Sequence, residues 1–225
     1  MEDNTQNKIS TDDFQIRHYH HSELSTQQYA ELAAVSRAAF AEHKVRGINM
    51  RDTEITPEEM RQNLCNHNDT VFIIYHGERM VGYARGSIAA CAGQTALLAE
   101  GLATLPEYRG QSLGRRLVRV MEDWALSHGA QFARLDTSDK AERIKSYHHS
   151  CGYKDWYYEH LPNRNYISIY MRKDYGQPYP PFKRLARLWI SWIKAHARYT
   201  RHGKNRLPFR AYGYLCGKLG IRAGL

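Results

Sequence analysis

The 225-residue chain lacks long apolar runs and is poor in cysteine. No stretch reaches about 18 consecutive apolar residues, so the sequence predicts no membrane-spanning helix. The four cysteines are far apart and include no C-x-x-C pair; they are Cys65, Cys91, Cys151 and Cys216. A disulfide framework and a cysteine-bound metal are therefore not indicated. The first residues, MEDNTQNKISTDD, lack the basic start and apolar core of a secretory signal, which favours a cytoplasmic protein.

Acidic residues are absent after Asp174, and this locates the net charge of +9. Residues 1–176 hold 21 Lys and Arg against 23 Asp and Glu, a balance of −2, whereas residues 177–225 hold 11 basic residues and no acidic one. The positive excess is therefore confined to the C-terminal segment. We expect a disordered N-terminus at 1–13, one main domain at 14–176 and a basic helical tail at 177–225.

The spacing of apolar residues predicts an α+β fold for the main domain. Alternation at 14–20 predicts one strand, and the apolar stretches within 70–104 predict three more in succession. Two helices are expected between these strands, and a third begins near Leu113, where apolar residues recur at helical spacing. A strand, a short helix and two closing strands follow. The expected architecture is a mixed, mostly antiparallel sheet flanked by helices.

The stretch LPEYRGQSLGRRL, residues 105–117, connects the fourth strand to the third helix. The first amides of a helix lack internal partners, and the helix dipole adds partial positive charge there. Small residues would allow a pyrophosphate to approach the amides of residues 110–114, with Arg109 or the arginines of the first turn adding charge. A strand-to-helix turn without a ligand is the alternative interpretation.

In its chain context this stretch resembles the signature of the GCN5-related N-acetyltransferase (GNAT) family, in which Arg or Gln is followed by two residues, Gly, one residue and Gly or Ala. The matching residues are Pro106, Glu107, Tyr108, Arg109, Gly110, Leu113 and Gly114. Ser112 departs from the signature, which has glycine there. The order of strands and helices and the segment YHHSCGY, residues 147–153, extend the resemblance to about three quarters of the chain.

The resemblance implies the GNAT fold and an acyl-CoA co-substrate, acetyl-CoA or another acyl-CoA, with no metal. The loop amides would hold the pyrophosphate, and the end of the preceding strand would pair with the pantetheine arm. The implied pyrophosphate residues are Arg109, Gly110, Gln111, Ser112, Leu113 and Gly114. The implied pantetheine residues are Leu102, Ala103 and Thr104.

Acyl transfer by direct attack of an amine needs a base for the amine and an acid for the departing thiolate. The family places a tyrosine acid four residues before a glycine, which here is Gly152 and selects His148, while the nearest tyrosine is Tyr147. Both remain candidates. Glu100 is the candidate base, because it is the only carboxylate on the strand entering the loop; a substrate-orienting role is the alternative.

Residues 182–199 form an amphipathic basic pattern with tryptophans on the apolar side. Three interpretations are open: docking of the apolar face on the main domain or on a second subunit, binding to an anionic membrane, or, less favoured, binding to nucleic acid. The absence of acids after Asp174 favours an anionic partner. A membrane-bound tail would place a cytoplasmic protein at the inner membrane face.

The sequence therefore predicts an acyl-CoA-dependent N-acetyltransferase that moves an acetyl or other acyl group to a primary amine. The contrasting hypothesis is a non-catalytic acyl-CoA-binding or scaffold module whose basic tail contacts a membrane or nucleic acid. Neither the acceptor amine nor the acyl length is indicated, and a homodimer is one possible assembly.

Overall fold

A computed structural model describes the backbone of residues 13–202 and the side chains of residues 13–199. The sequence predicts disorder at residues 1–13. Of these only Asp13 is among the described residues, and residues 1–12 lie outside them. The last part of the expected basic tail, 203–225, also lies outside them.

Within the described chain, seven strands form one sheet in the order β1-β2-β3-β4-β5-β7-β6. The pairs β1–β2, β2–β3, β5–β7 and β6–β7 are antiparallel, and β4–β5 is parallel. This mixed sheet, together with the helices that flank it, confirms the predicted α+β class. The strands are β1 (Phe14–His20), β2 (Thr70–His76), β3 (Arg79–Cys91), β4 (Gln94–Thr104), β5 (Phe132–Ser138), β6 (Lys154–Glu159) and β7 (Ser168–Asp174).

Five α-helices lie in the same part of the chain: α1 (Thr26–Val45), α2 (Pro57–His67), α3 (Leu113–Ser127), α4 (Glu142–Ser150) and α5 (Pro181–His202). The start of α2 follows from local chemistry, because Thr56 and Glu59 form a reciprocal capping box and Pro57 takes the first helical position. A membrane crossing needs a longer or more apolar helix than any found in the described residues.

Tertiary contacts divide the chain into two compact units. The first contains described residues 13–42, 51–87 and 99–127, and the second contains 43–50, 88–98 and 128–202. In the first unit, α3 packs on β2, where the rings of Phe72 and Trp124 meet edge to face with centroids 5.5 Å apart.

The second unit has its own core around Ala96, Phe132 and Trp156, all at most 1% exposed. The guanidinium of Arg172 lies 3.6 Å from the Phe132 ring centroid and pairs with Asp174 at 2.6 Å. This buried charge is tolerated because it is paired with a carboxylate and stacked on an aromatic face.

Candidate active site

The loop between β4 and α3 is anchored at both of its ends within the first unit. The amide of Leu105 donates to the carbonyl of Val81 at 2.9 Å, and Tyr108 is buried. At the other end, the guanidinium of Arg109 donates to Glu42 at 3.2 Å and to the carbonyl of Ala39 at 2.6 Å. The Arg109 side chain therefore holds the loop against α1, and its charge is engaged there.

Between these anchors the backbone turns twice through the left-handed region, with φ of +81° at Gly110 and +60° at Ser112. Within residues 13–202, the amides of residues 110–112 donate no hydrogen bond. The first amides of α3, from Leu113, have no intrahelical acceptor. Successive unpartnered amides in such a turn, at a helix N-terminus, make an anion-binding concavity.

Ser112 ends the loop in a conformation that favours glycine, so the departure from the family signature has a backbone cost. Its carbonyl accepts the amide of Arg116 at 3.1 Å, which starts the hydrogen-bonding pattern of α3. A non-glycine residue at this φ costs about 1 kcal/mol or slightly more. Ser112 thus adopts the backbone conformation that a glycine would adopt at this position.

The side chains beside these amides are polar or basic. The Gln111 side-chain oxygen is buried and accepts no hydrogen bond from the described residues. Arg115 is exposed in the first turn of α3, whereas Arg116 is half-buried and donates to the carbonyl of Phe14 at 3.1 Å. The donor set of the loop therefore fits an anionic group such as a pyrophosphate.

The end of β4 leads into this loop. β4 and β5 pair in parallel from Ala96 opposite Phe132 to Leu98 opposite Arg134. β4 then continues for six more residues, which are not paired with β5. These six residues include Leu102, Ala103 and Thr104, the candidates for pairing with pantetheine. The backbones of β3 and β4 approach each other closely here, because a β-carbon added to Gly82 on β3 would lie 2.7 Å from the Ala103 carbonyl oxygen on β4.

Glu100 on β4 belongs to a charge network in the first unit. Its Oε2 lies 2.8 Å from Nη2 of Arg85 and 3.3 Å from Nδ1 of His67, and Arg85 also binds Asp69 at 2.6 Å. The Oε1 atom makes no ion pair or hydrogen bond with any described residue. Glu100 is 32% exposed along its side chain, so one carboxylate oxygen is fixed and the other is available.

Burial and charge act in opposite directions within this network. Burial lowers the pKa of Arg85, but the carboxylates of Glu100 and Asp69 outweigh it and leave the pKa raised. Burial raises the pKa of Asp69, and Arg85 opposes that shift. His67, Asp69 and Glu100 are close enough to suggest a cation site, but the Arg85 guanidinium already binds both carboxylates. We assign no metal to this cluster.

Gly101 permits this arrangement. Its φ is +57°, and a β-carbon there would lie 2.9 Å from Nε of Arg85. Sequence reasoning found Glu100 but missed Arg85, Asp69 and His67. The available signal was a charged residue, Arg85, within a strand that otherwise reads as continuously buried.

The two candidate acids lie on α4 in the second unit. Tyr147 is half-buried, whereas His148 is 7% exposed and packs between the rings of Tyr147 and Tyr153, at centroid distances of 5.4 and 5.9 Å. Burial, with a smaller contribution from His149, lowers the pKa of His148 to about 4. His148 is therefore neutral at pH 7 and carries no imidazolium proton to donate.

Residues 37–153, just over half of the chain, match the acetyltransferase (GNAT) family. This segment includes the loop, Glu100 and α4. No curated protein sequence matches the chain.

Solved structures share the fold at low sequence identity. An acetyltransferase from Streptococcus agalactiae is 19% identical with a TM-score of 0.55, covering 72% of this chain and 98% of its own. PaiA N-acetyltransferase from Thermoplasma acidophilum, solved with coenzyme A, is 18% identical with a TM-score of 0.54 and coverage of 72% and 99%. YncA from Salmonella typhimurium, solved with acetyl-CoA, is 14% identical with a TM-score of 0.54 and coverage of 74% and 98%.

The α+β fold and the loop of unpartnered amides before α3 are those of the acyl-CoA N-acyltransferase fold class. The chain belongs to the acetyltransferase (GNAT) family.

Proposed function

We propose that this chain is an acyl-CoA-dependent N-acyltransferase that moves an acetyl or other acyl group to a primary amine. The observation that carries the proposal is the run of amides at residues 110–114, which donate no hydrogen bond to the described residues, at the start of α3. Left-handed φ at Gly110 and Ser112 shapes this loop. Two structures of the same fold, one solved with coenzyme A and the other with acetyl-CoA, support this choice of anion.

The loop amides would hold the pyrophosphate, and the backbone of residues 102–104 would hydrogen-bond the pantetheine arm. Acyl-CoA supplies an activated thioester when bound. The attack of the amine forms a C–N bond and breaks the C–S bond, so one proton must leave nitrogen and one must reach sulfur. No enzyme nucleophile is needed for this balance.

We assign the acceptor amine to Glu100. Because Arg85 and His67 fix Oε2, the unbonded Oε1 is the oxygen that would orient the amine or take its proton, directly or through water. We assign protonation of the thiolate to Tyr147 and not to His148, since the buried imidazole is neutral at pH 7. His148 then serves as a packing residue between two tyrosine rings.

The decisive experiment is calorimetric titration of the full chain with coenzyme A and acetyl-CoA, comparing wild type with Gln111→Glu. This change keeps the size of the side chain but places negative charge beside the loop amides. We expect affinity to fall about tenfold or more by charge repulsion. Thermal melting checks that the variant is folded, because the new carboxylate replaces a buried amide oxygen. Gln131→Glu, an isosteric change of the same charge on the exposed residue before β5, is the matched control.

Absence of coenzyme A binding at millimolar ligand would overturn the proposal. If binding occurs, thiol release across a panel of amines separates an enzyme from the non-catalytic acyl-CoA-binding alternative. Tyr147→Phe and Glu100→Gln should each lower kcat with little change in coenzyme A affinity. Unchanged kcat in either variant would remove that residue from the mechanism.

A further inference from the structure

Helix α5 is attached to the second unit through only part of its circumference. The Arg187 guanidinium lies over the rings of Trp156 and Tyr157, at 4.3 and 4.9 Å from their centroids. The Ser191 hydroxyl oxygen accepts the amide of Tyr158 at 3.0 Å, and Tyr199 donates to the Asn165 carbonyl at 3.3 Å. Helix α5 therefore packs on β6 through polar and basic groups, and three apolar residues of its C-terminal half, Ile193, Ala195 and Ala197, are also buried.

A second face of α5 points away from these contacts. Phe182, Leu185, Trp189 and Trp192, spaced three, four and three residues apart, lie on one side of the helix. They are 83%, 54%, 63% and 44% exposed, in that order. We call these four residues the aromatic stripe. Among the described residues six large apolar side chains are exposed, and four of them form this stripe.

The charge around the stripe has one sign. Helix α5 carries six basic residues and no acidic one: Lys183, Arg184, Arg187, Lys194, Arg198 and Arg201. At 100° per residue, these basic residues lie on the opposite side of α5 from the stripe, and Lys183, Lys194 and Arg198 are exposed there. Their long side chains can extend along the helix toward an anionic surface that the stripe contacts.

We propose that the aromatic stripe binds the surface of an anionic lipid bilayer, with α5 lying in the headgroup region. Tryptophan and other apolar side chains flanked by Lys and Arg are typical of helices that lie at this interface. A second copy of α5 is a poorer partner, because it would bring two sets of six positive charges together. Nucleic acid would bind the basic residues of α5 and leave the uncharged stripe without a role.

The proposal does not depend on acyl transfer and is tested without coenzyme A. The full chain is floated with phosphatidylcholine vesicles and with vesicles that also contain phosphatidylglycerol. We expect binding to the anionic vesicles that weakens as salt is raised. Changing Leu185 and Trp189 together to Ser should reduce that binding about tenfold or more, since two exposed apolar side chains are lost.

Leu126→Ser is the matched control, because Leu126 is 48% exposed on α3 and outside the stripe. Thermal melting of each variant confirms that it is folded. No binding to anionic vesicles, or equal binding by the stripe variant and the Leu126 control, would overturn the proposal. So would a wild-type dimer, measured by light scattering, that becomes a monomer in the stripe variant, because the stripe would then be a protein interface.

Discussion

Buried His148 should make folding stability depend on pH in a defined window. In the unfolded chain an imidazole takes up its proton near pH 6.5, whereas burial lowers the pKa of His148 in the folded chain to about 4. Between these values the unfolded state binds more protons, so stability falls as the pH is lowered. A pKa about 2.5 lower in the folded than in the unfolded chain contributes about 3 kcal/mol to the free energy of unfolding. About 2 kcal/mol of this contribution is lost between pH 7.5 and pH 5.

The assay is urea unfolding at pH 7.5 and pH 5 for wild type and for His148→Phe. Phenylalanine keeps a ring between Tyr147 and Tyr153 but cannot take up a proton. We expect the variant to lose about 2 kcal/mol less than wild type over this interval. His128→Gln, at an exposed histidine, is the control for replacing a histidine elsewhere in the chain.

Other groups also titrate between pH 7.5 and pH 5, so the informative quantity is the difference between wild type and His148→Phe. Equal pH dependence of the two proteins would refute the reasoning, because a histidine that titrates normally in the folded chain makes no such contribution. The result would also restore His148 as a candidate acid.

Three further predictions concern the first unit. Ser112→Gly should raise the free energy of unfolding by about 0.5 kcal/mol, because relief of the left-handed φ is partly offset by the greater freedom of glycine in the unfolded chain. Coenzyme A affinity should hold or tighten; a marked loss of affinity would show that the hydroxyl binds the ligand. Gly82→Ala should cost about 2 kcal/mol in chemical unfolding because the new β-carbon meets a β4 carbonyl at 2.7 Å, whereas Gly176→Ala, with open space, should be near neutral. Arg85→Met should cost about 3 kcal/mol or more by leaving buried carboxylate unpaired, against at most about 1 kcal/mol for Arg79→Met at an exposed ion pair; similar losses in the two variants would contradict the buried network.

The fold was predictable because its signals are local. Alternating strands, the capping box at Thr56 and the periodic apolar residues of α3 each act within a few residues of sequence. The loop at 109–114 was also predictable as a candidate anion site, since an unpartnered helix N-terminus follows from the motif alone.

The features that the sequence did not predict depend on contacts between residues distant in sequence. The pairing of Arg85 with Asp69 and Glu100 requires three segments to meet, and no spacing in the sequence indicates it. The burial of His148 was equally hidden, because a histidine on a short helix reads as solvated. The sequence showed that α5 is amphipathic and left docking of its apolar face open as one interpretation. In the structure Arg187 and Ser191 contact β6, whereas the aromatic stripe is exposed.

The aromatic stripe has a practical consequence for optical measurements. The chain contains four tryptophans: Trp124, Trp156, Trp189 and Trp192. Trp124 and Trp156 lie against aromatic rings within their respective units, whereas Trp189 and Trp192 are 63% and 44% exposed. The fluorescence of the native protein should therefore contain a water-exposed component that iodide quenches. Unfolding should shift only the emission of Trp124 and Trp156 to longer wavelength. The same exposed component gives the protein an intrinsic fluorescent reporter of whatever covers α5.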